Sequence, residues 1–400
     1  MQQPIYLDYM ATTPVDPGVI SAMMGCLGQG GAFGNPASVT HSYGFQAQEK
    51  VDRARMQVAN AVQAHPSEIV FTSGATEANN LAIKGVASFY QRQGRHLITS
   101  LTEHKAVLDV FRFLETQGFS VTYLKPDNNG LIDLNQLADA ICSETILVSI
   151  MQVNNETGVI QNIQEITNIV KQTGAKLHVD GAQSVGRIPI DVKALGVDLM
   201  SFSAHKAYGP KGIGALYVSA SPRTRLTPLH HGGGQEFGVR SGTLATHQIV
   251  GMGAAFSLAV EEGAQRSESI SHISAAFMKA LSTVPGITIN GEGAPRVPHC
   301  LNLRFSGVDA DALIAALPML AMSSGSACNA ARAEPSHVLL SMGLNRYEAQ
   351  SSLRISFGRY TQMEDAMTAA HLLKQQLERL RSASPIWQRV KNRLEPDHHE

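Results

Sequence analysis

Three short segments carry side chains whose types and spacing suit one kind of chemistry. In Ser73-Gly74-Ala75-Thr76-Glu77 a small-residue turn opens a helical pattern. Free backbone N–H groups at such a helix start attract a phosphate, with the Ser73 and Thr76 hydroxyls available to help. The same residues would also serve as an ordinary helix cap. Further on, Leu177-His178-Val179 ends in Asp180, and Leu199-Met200-Ser201-Phe202 ends in Ser203-Ala204-His205-Lys206. Side chains at the carboxyl ends of parallel strands point into the crevice where α/β proteins bind ligands. A lysine placed there can form a Schiff base once its neighbours depress its pKa. An anion cradle, an acid to face a pyridinium nitrogen and a Schiff-base lysine are the parts a pyridoxal phosphate site needs. A strand-end ion pair without catalysis is the other reading of Asp180 and Lys206, and the order of all three parts along one sheet speaks against it.

The elements that must position these residues follow from periodicity. Between residues 45 and 218 helical spacing alternates with short apolar runs, the pattern of β-α units around a buried, mostly parallel sheet. Ala47, Val51, Ala54, Val58 and Ala61 form one helical face. Runs at 69–71, 97–99, 121–124, 146–150, 177–179, 199–202 and 215–218 read as the strands of one large sheet. After a helical stretch near 247–283 the texture changes, with strands at 287–289, 301–305 and 353–357 and a last helix on Ala366, Ala370, Leu373, Leu377 and Leu380. This predicts an α/β chain with a second, smaller α+β domain.

Composition narrows the function classes. The 400 residues carry 32 Lys+Arg against 33 Asp+Glu and are 44% hydrophobic, so the chain buries a sizeable core and lacks the basic footprint of a nucleic-acid or membrane binder. Its N-terminus has no basic and apolar signal pattern, and no apolar stretch approaches the ~20 residues of a membrane helix. A cytoplasmic protein is expected. Cys26, Cys142, Cys300 and Cys328 form no CxxC pair, which argues against disulfides and structural zinc. The first three sit among apolar or strand-like neighbours and read as small buried hydrophobes. The His230-His231 and His398-His399 pairs lack partners at metal-ligand spacing.

Five segments carry a resemblance: Leu7-Asp8-Tyr9-Met10-Ala11-Thr12-Thr13-Pro14, Thr102-Glu103-His104-Lys105-Ala106-Val107, Val153-Asn154-Asn155-Glu156-Thr157-Gly158, His178-Val179-Asp180-Gly181-Ala182-Gln183-Ser184 and Ser323-Ser324-Gly325-Ser326-Ala327-Cys328. From about residue 5 to 390 the chain resembles the cysteine desulfurases, in their housekeeping iron–sulfur-assembly branch. The resemblance implies a homodimeric fold-type I pyridoxal phosphate enzyme, with a large domain at 15–258 and a small domain made of 1–14 and 259–400. It implies that Lys206 carries the cofactor, that Asp180 faces the pyridinium nitrogen, that His104 stacks on the ring and that Gln183 bonds the phenolate oxygen. Ala75 and Thr76, with Ser203 and His205, would cradle the phosphate, and Thr243 would reach the phosphate of the neighbouring subunit. Asn155, beside the cofactor, and Arg354 would hold the substrate carboxylate. Without the family, His104 reads as a helix-start histidine and Arg354 as a strand-edge surface arginine. Phe237 stands where members commonly carry arginine, and residues 329–334 also differ from what the resemblance leads one to expect.

The same resemblance makes Cys328, on a loop of about 323–335, the nucleophile that takes sulfur from L-cysteine, leaving L-alanine and an enzyme persulfide. Its small polar neighbours suit a mobile, exposed thiol. The implied acceptors are an iron–sulfur scaffold protein and other sulfur carriers, including those of tRNA thiolation, with no stable nucleic-acid binding by the chain itself. No resident metal is expected, although Cys328 is a candidate transient ligand to a nascent cluster shared with the scaffold. Trp387, Lys391 and Arg393 offer a docking surface, and Arg223 with Arg225 a basic patch for an acidic carrier. The alternatives are a selenocysteine lyase or other fold-type I enzyme, and a sulfur-assembly scaffold without turnover.

Overall fold

The apolar runs become strands within one or two residues of where periodicity puts them. A computed structural model describes residues 3–324, 334–385, 387, 388 and 391. In chain order its strands are β1 (Ile5–Tyr6), β2 (Ile69–Thr72), β3 (His96–Ser100), β4 (Ser120–Leu124), β5 (Thr145–Met151), β6 (Lys176–Asp180), β7 (Leu199–Ser203), β8 (Gly214–Val218), β9 (Ile287–Ile289), β10 (Cys300–Phe305), β11 (Leu320–Ala321), β12 (Ser323–Ser324) and β13 (Ser352–Ser356). Its helices are α1 (Pro17–Met24), α2 (Ser42–Ala61), α3 (Ala75–Tyr90), α4 (Lys105–Thr116), α5 (Leu134–Ala140), α6 (Ile163–Val170), α7 (Val192–Leu195), α8 (Thr246–Leu281), α9 (Ala310–Ala315), α10 (His337–Ser341), α11 (Arg346–Gln350) and α12 (Met363–Ser382). No helix among the described residues is long and apolar enough to cross a membrane.

The large sheet has seven strands in the order β2-β8-β7-β6-β5-β3-β4. From β7 to β4 every pairing is parallel, while β8 runs antiparallel to both β7 and β2. β2 therefore points the same way as β7, and the ends of β2, β3, β5, β6 and β7 share one edge. Helices cover both faces. Val51, Val58 and Phe256 pack with Ile150 and Val179 on one side, and Leu81, Val107 and Phe111 pack with Leu97 and Leu147 on the other. This is why all seven residues of β5 are buried and read as a continuous apolar run rather than an alternating one. Gly214 pairs with both Thr72 and Ser203. A Cβ there would stand 2.5 Å from Phe202 O and 2.7 Å from Gly74 Cα, so glycine is what lets these strand ends close up.

The exposed edge of β2 is covered by side chains instead of a strand. Arg55 Nη1 donates to Ile69 O at 2.7 Å, and Glu236 Oε2 accepts from Phe71 N at 2.6 Å and from Arg55 Nη1 at 2.9 Å. Both free backbone groups of the edge are thus satisfied from α2 and from the turn at 236–238. Phe237, at φ 59°, lays its ring 5.4 Å from the Arg55 guanidinium carbon.

A second core gathers Leu7, Phe277, Leu303, Phe305, Leu353, Ile355, Phe357 and Leu373. Its sheet, β12-β13-β10-β9, is antiparallel, and α12 lies on it through Ala366, Ala370, Leu373 and Leu377. α8 serves both cores, giving Ile249, Met252, Phe256 and Ala259 to the first and Ile270, Ile273, Phe277 and Leu281 to the second.

Two expectations are corrected here. Cys142 is exposed, not buried. It lies in the turn before β5, where its N–H donates to Thr145 Oγ1 at 2.9 Å, rather than in a strand. Trp387 is buried and offers no docking surface. Its ring lies 3.8 Å from the Arg381 guanidinium carbon, and Gly307 packs so closely that a Cβ there would be 2.9 Å from the indole side chain. Arg393 lies outside the described residues.

Candidate active site

The site grows from the shared carboxyl edge of the large sheet. At the end of β2, Gly74 adopts φ 151° and α3 begins at Ala75 without a side-chain cap. The ordinary cap by Ser73 or Thr76 is thus not made. Glu77 accepts from Ser73 N at 2.7 Å, fixing the turn from outside. Arg240, at 2.8 Å, holds this carboxylate in turn, and together these donors overcome burial to lower its pKa. The first-turn N–H groups of α3, at Ala75 and Thr76, suit an anion.

Asp180 closes β6. Its Oδ2 accepts from Asn79 Nδ2 at 2.8 Å and its Oδ1 from Ala182 N at 2.9 Å, so the carboxylate is aimed by α3 and by its own turn. Glu103 lies close by, wholly buried. Burial, and then the charge of Asp180, hold its carboxyl well above the usual range, while Met151 N donates to it at 2.6 Å. The structure therefore favours the neutral form of Glu103.

Lys206 follows β7 on a short 3-10 turn with His205. Its Nζ donates to Met10 O at 2.8 Å and to Ala11 O at 2.7 Å. The N-terminal segment crosses the site: Gln183 Nε2 donates to Met10 O at 2.9 Å, His205 Nδ1 meets Thr12 Oγ1 at 3.0 Å, and Thr13 N donates to His205 O at 3.0 Å. Burial, then the nearby lysines, lower the His205 pKa to about 4, so the imidazole is neutral. Ser203 is buried at the end of β7.

On the side of the second core, Arg354 is buried on β13 between β10 and β12, not at a surface edge. Nη1 donates to Asn155 O at 2.8 Å and Nη2 to Asp8 Oδ1 at 2.7 Å, while Nε has no hydrogen-bond partner among the described residues. His104 caps α4, its Nδ1 accepting from Ala106 N at 3.1 Å. Glu156 follows Asn155, wholly buried. Burial raises its pKa to about 7, against the pull of Ser336, Arg354 and His104.

The residues read from the sequence thus come together with two exceptions. Thr243 is exposed, lining a groove of about 440 Å3 with Asn35, Arg55 and Phe237. Cys328 lies outside the described residues. Sequence reasoning gave no role to Asn79, Glu103, Glu156, Arg187 or the 8–13 segment, although three of the quoted motifs contain Glu103, Glu156 and that segment. An uncapped helix start, a hydrogen-bonded acid and a lysine along one edge of the large sheet fit the phosphate, the ring nitrogen and the aldehyde of pyridoxal phosphate.

Comparison with known proteins agrees. The model of the class-V aminotransferase family matches residues 5–368. The chain is 56% identical over 397 residues to a protein of Colwellia psychrerythraea named cysteine desulfurase IscS, covering 99% of this chain and 98% of that one. Among solved structures, a NifS-like protein superposes with a TM-score of 0.86 at 36% identity, covering 94% of this chain and 99% of that one. A structure described as SspA in complex with cysteine gives 0.79 at 40% identity, covering 89% and 99%. The chain belongs to the class-V aminotransferase family, fold-type I, and within it to the IscS/NifS-like cysteine desulfurases.

Proposed function

We propose that the chain is a pyridoxal-phosphate-dependent cysteine desulfurase that converts L-cysteine to L-alanine and leaves the sulfur as a persulfide on Cys328. The observation that carries this reading is the placement of Lys206, Asp180 and the uncapped start of α3 along one edge of the large sheet, in a chain alike over its full length to proteins named for that activity. When bound, pyridoxal phosphate withdraws electrons from the Cα of an amino acid joined to it.

The chain's residues do the rest. Ala75 and Thr76 N–H groups, with Ser203 and His205, hold the phosphate. Asp180, fixed by Asn79, would hold the protonated ring nitrogen, Gln183 would bond the phenolate oxygen and His104 would stack on the ring. Arg354 and Asn155 fix the substrate carboxylate, and Lys206 takes the Cα proton. The Cys328 thiolate then attacks the substrate sulfur: an S–S bond forms, the Cβ–S bond breaks with its electron pair left on carbon, Cβ takes up one proton, and Lys206 returns to Cα the proton it took, completing alanine. His104 carries the thiol proton.

The division into 15–258 and into 1–14 with 259–400 is supported by two hydrophobic cores joined along α8. A cytoplasmic homodimer is the form we expect, with Thr243 serving the neighbouring site. An iron–sulfur scaffold and other sulfur carriers are the acceptors, and exposed Arg223 and Arg225 suit an acidic one. The test is alanine release from cysteine by the wild type, Cys328→Ala and Lys206→Ala. Activity lost in both variants, with the yellow colour lost only in Lys206→Ala, supports the reading; full alanine release by Cys328→Ala sinks the nucleophile.

A further inference from the structure

Beside Lys206 lies a small cavity of about 30 Å3 whose charged and polar lining is Arg187, Lys206, Tyr208, Arg266, His299 and Arg359. The rest of its wall is apolar or glycine, and among the described residues no carboxylate lines it. Arg359 and Arg266 have carboxylates elsewhere: Asp16 and Glu262 for the first, Glu262 for the second. Arg187 has none. Its guanidinium is buried and makes two long contacts to backbone carbonyls, Nη1 to Gln183 O at 3.2 Å and Nη2 to Tyr9 O at 3.4 Å. The ionisable groups that act on it are Tyr208, Cys300 and Arg354. Burial raises the first two, so both are neutral at physiological pH, and the third is another cation. An arginine does not shed its proton to escape such a place.

Three nitrogens sharpen the point. Arg187 Nε, His299 Nδ1 and Arg359 Nε are all buried without a hydrogen-bond partner among the described residues. The residues that carry them come from three separate parts of the chain, after β6, before β10 and after β13, and all three line this one cavity. The His299 ring is neutral, because burial and then the charge of Arg187 lower its pKa to about 3. It donates through Nδ1 in the tautomer that carries its proton there. A buried cation without a counter-charge is costly, and so is a buried donor without an acceptor. Water would satisfy the donors but leave the charge.

We propose that this cavity binds one small inorganic monoanion of the halide class, which balances Arg187 and accepts from the three unpaired nitrogens. The volume is that of roughly one or two water molecules, room for a single-atom anion rather than for phosphate or sulfate. Its position next to Lys206 gives it a function. A negative charge there favours the protonated form of the lysine, so occupancy tunes how readily Lys206 gives up a proton. The site itself does not depend on the desulfurase reading; only this consequence does.

The probe is bromide. Crystals of the wild-type holoenzyme soaked in sodium bromide should show an anomalous peak among Arg187, His299 and Arg359. Thermal unfolding of the same protein in sodium bromide should rise by about 2 °C or more over sodium gluconate at equal ionic strength, and saturate. Arg187→Met should lose the halide-specific rise and Arg187→Lys should weaken it. Superimposable bromide and gluconate curves with no anomalous peak in the wild type would overturn the proposal, as would equal bromide stabilisation of Arg187→Met. The wild-type measurements decide the matter even if Arg187→Met fails to fold. A bromide peak in a protein that releases no alanine from cysteine supports the site and removes only its link to desulfuration.

Discussion

The carboxyl of Glu156 accepts a hydrogen bond from the hydroxyl of Ser336, 180 positions along the chain. Ser336 also caps α10, accepting from Leu339 N at 3.2 Å. The backbone carbonyl of Glu156 takes Asn302 Nδ2 at 3.0 Å and the Cys300 thiol at 3.4 Å. One residue of the turn after β5 therefore pins both β10 and the start of the helix that follows the Cys328 segment. It does so beside Arg354, the side chain proposed to hold the substrate.

That contact has a pH signature. Burial raises the Glu156 pKa from 4.5 to about 7. For an acid with a raised folded pKa, the stability it contributes is fully present below the unfolded value and is lost as pH rises through the folded one. Wild type should lose about 3 kcal/mol relative to Glu156→Gln between pH ~4.5 and ~7. Urea denaturation of both proteins across that window measures it. Parallel pH dependences would count against a buried, titrating Glu156.

His178 should show the opposite slope. Its ring joins three strands, Nδ1 to Ser149 Oγ at 2.8 Å and Nε2 to Ser201 Oγ at 2.9 Å, and burial lowers its pKa from 6.5 to about 3. With a depressed folded pKa, the contribution is present above the unfolded value and is lost as pH falls through the folded one. Wild type should lose roughly 4–5 kcal/mol relative to His178→Asn as pH drops from ~6.5 to ~3. Acid denaturation midpoints that coincide for the two proteins would refute this.

What could be read from the sequence and what could not divides along contact range. Asp180 and Lys206 were recognisable as candidate site residues because a parallel sheet brings its strand ends to one edge, whatever the packing beyond. Strand residues buried on both faces announce themselves as apolar runs, as in β5. The segment from Asp8 to Thr13 crosses Lys206 through contacts with residues nearly 200 positions away, and no local pattern predicts that. Trp387 looked like a docking residue because the glycines that admit its ring, Gly286 and Gly307, lie far upstream. Cys142 looked buried because its neighbours are apolar, but the chain turns there to enter β5. Arg187 drew no attention at all, since an arginine is notable only once its burial and lack of a carboxylate are known.

The Arg55–Glu236 pair should be expensive to break. Side-chain exposures of 9% and 1% make it a buried ion pair, and it also satisfies the free edge of β2 just before the start of α3. Glu236→Ala leaves Arg55 uncompensated and Phe71 N unpaired, for a loss of about 3–5 kcal/mol. Adding Arg55→Ala should cost much less than a second such loss, because the stranded charge goes with it. Urea denaturation of the two single variants and the double variant tests this, and simple additivity would mean the pair is not coupled.

Arg354 offers the most direct test of substrate binding. Its Nη1 and Nη2 are engaged by Asn155 O and Asp8, which set the plane of the guanidinium while Nε has no partner among the described residues. A carboxylate meets such a fork through two parallel bonds, and a lysine ammonium supplies only a point charge. Arg354→Lys should therefore raise the KM for cysteine by about tenfold or more, equivalent to ~1.4 kcal/mol or more of binding, with kcat changed much less. Asp8→Asn keeps a group of the same shape on Nη2 and should move KM by less than Arg354→Lys does. Steady-state alanine formation by the three proteins gives both parameters. An Arg354→Lys variant with wild-type KM and lowered stability would instead make the arginine a structural tie between β13 and the N-terminal segment.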